Sequence, residues 1–311
     1  MTQIHIPVMA QEVLEGLSLN PGEIVVDCTV GLGGHAQHFL DATEPNGKVI
    51  GIDKDEDAVE IARGRLEKFR NRCICVKEDY KEIKSVLQKL GIKRAHGVFF
   101  DLGLSFLQID TASRGFSFMK DGPLDMRMDR ETTLTAYKVV NEFKEEQLCE
   151  LIRVFGEEPF AEKIARNIIL ERKNSPILST GSLARLVIKS IGYQKKRSKI
   201  NPATRTFQAI RIYINKELES LKEALPQAID VLFPKGKIAV ISFHSLEDRI
   251  VKETFKKYAK GCTCPSDFPE CICGKTSQLK IITEKPLSPT DNEIDINPHS
   301  RSAKLRIAEK L

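Results

Sequence analysis

No apolar run in this 311-residue chain approaches the roughly 20 residues that a membrane-spanning helix needs. Met1 to Ala10 lacks a basic region followed by an apolar stretch, the pattern of a secretion signal. Internal repeats and low-complexity tracts are absent too, which sets aside solenoids and biased linkers. One long segment is nearly without acid. Between Pro159 and Lys216 stand only Glu162 and Glu171, against 13 Lys and Arg, so this stretch carries +11 and the rest of the chain −6. These absences leave a folded, cytoplasmic protein with no membrane partner, and its 41% hydrophobic content suffices for a sizeable core. The charge asymmetry points to an anionic partner such as nucleic acid, the alternative being a well-solvated helical surface.

Short apolar runs alternate with amphipathic stretches through the first hundred residues, the pattern of a doubly wound α/β domain. Glu23 to Asp27, Lys48 to Asp53, Cys73 to Asp79 and Gly97 to Asp101 read as successive parallel strands. Three end on an aspartate and the third on Glu78-Asp79, at the carboxyl edge where open α/β sheets bind ligands. Helical spacing predicts crossovers at His35 to Ala42, Glu56 to Phe69 and Tyr80 to Leu90. After Asp101 comes a long loop rich in Gly, Asp and Met, then helical segments, and strand-like sequence returns at Lys237 to Phe243. The organisation expected is a discontinuous domain of residues 1–103 and 216–311, with a mostly α-helical insertion at 104–215. Leu279 to Leu287 and Ala303 to Glu309 are candidates for an antiparallel edge pair closing the sheet.

The first strand runs into Gly31-Leu32-Gly33-Gly34-His35. Glycines here let the backbone turn tightly and approach a ligand, and Asp53, about 20 positions on, can accept from ribose hydroxyls. By itself such a turn also serves plain strand-to-helix packing. Two features favour S-adenosylmethionine over a dinucleotide: position 36 is Ala, so the third glycine of G-x-G-x-x-G is missing, and Asp27 places a carboxylate where a sulfonium is welcome and a pyrophosphate is not. Asp79-Tyr80 offers an acceptor and a ring for an adenine. Asp101 stands where the reacting methyl group would lie.

From Asp101 onward the residues become specific. Asp101-Leu102-Gly103-Leu104-Ser105, Gln108, Arg114-Gly115-Phe116-Ser117-Phe118 and Asp121-Gly122-Pro123-Leu124-Asp125-Met126-Arg127-Met128-Asp129 resemble the bacterial ribosomal RNA small-subunit methyltransferase H family. The resemblance continues through His5-Ile6-Pro7-Val8-Met9, Asn201 to Arg211, Ser242 to Arg249 and Ser300 to Leu305, essentially the whole chain. It implies a class I methyltransferase Rossmann-like doubly wound sheet with an inserted helical domain for RNA recognition. It also implies methylation of the exocyclic N4 of a cytosine in the decoding region of 16S ribosomal RNA, in the small ribosomal subunit, by S-adenosylmethionine. Cofactor contacts are implied for Gly33, Gly34, His35, Asp53, Tyr80, Asp101 and Gln108. The chain departs from the pattern at Phe106-Leu107, where Ser-Pro is expected, and at His299, where Arg is usual.

Methyl transfer from a sulfonium is an in-line displacement, so positioning is the protein's main task. The cytosine amine is a poor nucleophile, and an acceptor for its N–H lets the nitrogen pyramidalise; Asp101 is the first candidate, with Ser105 the second catalytic position. Phe116 and Phe118 read either as platforms for the base or as ordinary core. Lys195, Lys196 and Arg197 are the candidate backbone contacts to RNA, joined by Arg205 and Arg211 after a helix start capped by Asn201. His244, after the fifth strand, reads equally as a substrate contact or a structural histidine. An Asp125–Arg127 pair would shape the long loop.

Of the eight cysteines, Cys28, Cys73, Cys75 and Cys149 read as small buried hydrophobes in a reducing compartment. Cys262, Cys264, Cys271 and Cys273 form a candidate structural zinc set, not required for the chemistry; their C-x-C spacing is tighter than the usual C-x2-C, and free thiols are the alternative. Two other functions compete with RNA methylation: an amino-methyltransferase acting on DNA or a small amine, and an RNA-binding assembly factor that has lost activity.

Overall fold

Valine, isoleucine and phenylalanine fill the strands because both faces of the sheet are covered, and successive side chains alternate between two cores. The computed structural model describes residues 6–192, 201–261 and 275–311. In chain order it contains α1 (Ala10–Leu17), β1 (Ile24–Asp27), α2 (Gly34–Ala42), β2 (Lys48–Asp53), α3 (Glu56–Arg65), β3 (Cys73–Lys77), α4 (Ile83–Lys89) and β4 (Ala95–Asp101). A helical stretch follows: α5 (Phe106–Asp110), α6 (Ala136–Glu142), α7 (Glu145–Gly156), α8 (Ala161–Arg172), α9 (Thr180–Ile191) and α10 (Thr204–Asn215). The chain closes with α11 (Glu217–Asp230), β5 (Leu232–Ser242), α12 (Ser245–Ala259), β6 (Leu279–Ile281), α13 (Asp291–Ile296) and β7 (Lys304–Lys310). It divides into two units, Met1–Gly103 with Leu218–Leu311, and Leu104–Glu217.

The first unit is one seven-stranded sheet in the order β3-β2-β1-β4-β5-β7-β6. β1 to β5 are parallel, while β7 runs antiparallel to β5 and β6. This is the Rossmann-like arrangement of class I methyltransferases, with the expected antiparallel pair at one edge. Val26, Ile50, Ile52, Val98 and Phe100 enter one core, and Val25, Val49, Phe99, Ala239 and Ile241 the other. Winding reverses between β1 and β4, and the carboxyl ends at such a switch point are where open α/β sheets bind ligands.

Several element ends differ from the sequence pattern for local reasons. β3 stops at Lys77 because the Asp79 carboxylate accepts from Lys81 N at 3.1 Å and caps a helical turn. The segment from Leu279 breaks after Ile281; Pro286 cannot donate to a ladder, and Leu287 makes only a separate bridge to Leu305. Cys28 is buried as expected, but Cys73 and Cys75 are only half-buried because β3 is an edge strand.

The second unit is helical around its own core. Leu148, Leu151 and Ile152 on α7, Ile164, Ala165 and Ile168 on α8, and Leu183, Ala184 and Val187 on α9 recur at helical spacing and are buried together. Phe116 lies in this core and Phe118 packs edge-on against Phe207 at 4.9 Å, so both rings serve packing. α10 begins at Thr204 rather than at Pro202: the Asn201 carboxamide bends back to accept from Ala203 N at 2.9 Å, and Ala203 takes the cap position.

Candidate functional site

Three aspartates end adjacent strands at the switch point, and the sheet register brings them to one edge, with Asp53 and Asp101 two residues beyond the level of Asp27. Asp27 closes β1, where it pairs with Gly51 of β2 and Phe99 of β4, and Asp53 and Asp101 close those two neighbours. Asp27 is fully buried. Its Oδ1 accepts from Thr29 N at 3.2 Å, while Oδ2 takes no hydrogen bond from any described residue. Burial drives the Asp27 carboxyl well above the usual range; the Thr29 amide opposes this, and the nearby Asp101 and Asp53 charges add to it.

The glycine turn leans on Asp53, which accepts from Gly31 N at 2.9 Å and Asp55 N at 3.0 Å. Burial still pushes Asp53 up to about 6, against the lowering effect of those two amides. Gly33, at φ 77°, occupies the left-handed region just before α2, where a side chain would be strained. A Cβ on Gly34 would stand 2.8 Å from Pro7 Cγ, so the turn has a close wall.

Asp101 is held by its own backbone: its N–H donates to Thr29 Oγ1 at 2.6 Å. Its carboxylate Oδ2 lies 3.7 Å from His35 Nε2, and Oδ1 is buried without a hydrogen bond from any described residue. Burial, with the Glu247 charge adding, pushes the Asp101 carboxyl up to about 7. His35, second in α2, is buried against Phe99 with ring centres 4.5 Å apart. Asp79 is engaged by Lys54 Nζ at 3.4 Å and Ser220 Oγ at 2.9 Å, and the Tyr80 ring meets Phe100 edge-on at 5.6 Å. Gly33, Gly34, His35, Asp53, Tyr80 and Asp101 therefore gather at one edge of one unit.

The other candidates have mostly capping or ion-pair roles. Ser105 and Gln108 belong to the helical unit and cap α5 reciprocally: Ser105 Oγ accepts from Gln108 N at 3.3 Å, and Gln108 Oε1 from Ser105 N at 3.1 Å. His244 caps α12, its Nδ1 accepting from Glu247 N at 3.4 Å while Nε2 lies 3.1 Å from Glu247 Oε1. Arg205 donates to Glu157 O at 2.9 Å from an exposed position. Arg211 is committed to Glu217 through two bonds of 2.8 Å, with side chains 13% and 7% exposed. Lys195, Lys196 and Arg197, and Cys262, Cys264, Cys271 and Cys273, lie outside the described residues. Among the described residues no cluster of His, Cys, Asp and Glu is arranged to hold a metal, and no helix is long and apolar enough to cross a membrane.

Two participants have no local signal. Thr29 is one of many threonines, and only the β1–β4 pairing brings its hydroxyl under Asp101. Glu247 looks like an ordinary first-turn acid of α12. Its 2% exposure, and bonds from Phe243 N at 2.9 Å and His244 N at 3.4 Å, show a buried carboxylate at the start of α12, just after β5, close enough to act on Asp101.

Comparison with known proteins shows the family to which the chain belongs. The family model described as the MraW methylase family matches residues 2–311. The chain is 46% identical over 307 residues to a protein of Brevibacillus brevis named Ribosomal RNA small subunit methyltransferase H, covering 99% of this chain and 98% of that one. A protein of the same name from Syntrophus aciditrophicus is 48% identical over 307 residues, at 99% and 98% coverage. An rRNA methylase structure from Streptococcus thermophilus aligns at 12% identity with a TM-score of 0.43, covering 100% of this chain and 99% of that one.

Proposed function

Because this chain belongs to the MraW methylase family, we propose that it transfers a methyl group from S-adenosylmethionine to the exocyclic N4 of a cytosine in the decoding region of 16S ribosomal RNA, in the small ribosomal subunit in the cytoplasm. The observation that carries the reading is Asp101: a half-buried carboxylate at the switch point, with one buried oxygen that takes no hydrogen bond from any described residue, near a second carboxylate, the fully buried Asp27, of which the same is true.

The residues present fit the cofactor. Buried acids without donors are costly unless a positive partner arrives, and a sulfonium is such a partner. The methyl group and its thioether leaving group come with S-adenosylmethionine. Asp53, already fixed by two amides, keeps lone pairs for ribose hydroxyls. Tyr80 and Asp79 bound the adenine side, Gly33 and Gly34 allow close backbone approach, and His35 closes the floor beside Asp101.

On the substrate side, Asp101 accepts a proton from the cytosine amine as the nitrogen's lone pair forms the new C–N bond, and passes it to water afterwards. Hydrogen bonding to the N–H draws the lone pair out of conjugation, a contribution on the order of 10²–10⁴ in rate. The base must be unstacked or single-stranded to reach the site. The basic segment supplies backbone contacts through Lys195, Lys196 and Arg197, a reading that rests on charge alone, and through Arg205 at its exposed position.

Incubation with labelled S-adenosylmethionine and small subunits from a strain lacking the enzyme, followed by nucleoside analysis, tests the assignment. Label in N4-methylcytidine is expected. Label in another nucleoside, or cofactor binding without transfer to RNA, contradicts it.

A further inference from the structure

Ile6-Pro7-Val8-Met9 enters the site so far only through the Pro7 wall on Gly34, and the segment up to Asn297-Pro298 not at all. The fold joins them. Glu293 Oε1 accepts from Met9 N at 2.7 Å, and Asn297 Nδ2 donates to Ile6 O at 3.1 Å. Glu293 and Asn297 stand four residues apart across α13 and its cap, so both bonds come from one face, and Asn297 N returns to Glu293 O at 2.7 Å. Thr290 caps the same short helix by accepting from Glu293 N at 3.2 Å.

The segment they hold is strained and buried. Met9 has φ 51° and ψ 38°, a left-handed conformation that costs a methionine about 1–2 kcal/mol and persists only where the surroundings enforce it. Val8 and Met9 sink into the core that also holds Val30, Ala36 and Phe39, the residues around the glycine turn. Pro7 lies directly on Gly34, at the distance that leaves no room for a Cβ. Strain of this kind, tied down by a segment almost 300 residues away and seated on the turn that faces the cofactor, is more than a fastening of loose ends.

We infer that Glu293 and Asn297 are positioning residues for the cofactor: they clamp Ile6 to Met9 onto Gly34, and the clamped segment holds the Gly31 to His35 turn in the shape that receives S-adenosylmethionine. This rests on the cofactor reading of that turn and not on the identity of the RNA target. Releasing Met9 N lets the left-handed residue relax, Pro7 withdraws, and the turn loses its outer wall.

Calorimetric titration of the full-length protein with S-adenosylmethionine, beside thermal melts of each variant, tests the clamp. Glu293→Ala is expected to weaken cofactor binding about tenfold and to raise the KM for cofactor in parallel, with the KM for small subunits unchanged. Glu293→Gln, whose Oε1 still accepts from Met9 N, is expected within about twofold of the parent, and Asn297→Ala to fall between the two. The clamp is overturned if folded Glu293→Ala binds as the parent does, or if Gln is no better than Ala. Should Glu293→Ala not fold, Asn297→Ala decides: unchanged affinity overturns the proposal. Binding is read without RNA, so cofactor affinities that follow this order in a protein that leaves small-subunit RNA unmethylated would defeat the substrate assignment alone.

Discussion

In the helical unit, Arg211 and Glu217 are nearly buried and meet through two bonds of 2.8 Å; at the carboxyl edge of the sheet, Asp27 is buried and Asp101 half-buried, and each keeps a buried carboxylate oxygen with no described donor. The contrast extends further. Arg114, 2% exposed, donates to the carbonyls of Arg127 and Met128 at 3.0 Å each, and Arg127 forms the expected pair with Asp125 at 2.7 Å. The buried atom left without a bond among the described residues of that unit is the neutral Thr206 hydroxyl. A buried charge that already has its partner shapes the backbone. One that lacks it raises the energy of the empty protein and lowers that of the complex, which is what a site for a cationic cofactor requires.

Removing each kind of charge should have opposite consequences in the two regions. Asp101→Asn keeps the shape and loses the acceptor, and transfer under single-turnover conditions is expected to fall about 100-fold or more while affinity for small subunits holds. Unchanged turnover would deny Asp101 its role. On the other side, Arg211→Ala strands a buried Glu217 and is expected to cost about 3–5 kcal/mol in chemical denaturation, with most of the loss recovered in the Arg211→Met, Glu217→Leu double variant. A loss below about 1 kcal/mol would mean that the pair is not structural.

Acidity offers a finer test. Asp101 accepts a proton only when ionised, and its carboxyl sits up at about 7, so kcat/KM should climb about tenfold per pH unit below 7 and level above it. A bound sulfonium favours the ionised form, so the corresponding limb of kcat should lie at lower pH. A flat profile from pH 5.5 to 8 would contradict both statements. The smallest effect belongs to Asp27→Asn. Because the folded carboxyl is raised above its unfolded value, ionisation opposes folding at neutral pH and ceases to do so as both states protonate in acid. The variant should therefore be more stable by about 1–2 kcal/mol at pH 7.5, lose that advantage toward pH 4, and bind cofactor more weakly.

Much of the sheet edge was legible because strand ends carry local signals: apolar runs that stop on Asp27, Asp53 and Asp101, and glycines after the first of them. The resemblance added the remaining positions. Pairings made by tertiary geometry were not legible. Arg211 and Glu217 are six residues apart, no helical spacing, and meet because α10 ends at Asn215 and Lys216 turns left-handed at φ 51° before α11 begins. Nothing local marks Arg211 as half of an ion pair. The start of α10 is not legible because an Asn two residues before the cap can bend back on the chain as readily as it can cap it. Glu247 and Thr29 enter the site only through strand order, and the Glu293–Met9 bond spans 284 residues with no local mark.

On this reading the charge missing from the sheet edge arrives with the cofactor. Proton exchange during binding tests it most directly, by titrating S-adenosylmethionine at pH 6.5 in buffers of different ionisation enthalpy. Asp101 is mostly protonated there, so binding should release a substantial fraction of a proton, markedly less with neutral S-adenosylhomocysteine and none attributable to this site in Asp101→Asn. Equal proton exchange for both ligands, unaltered by Asp101→Asn, would contradict it.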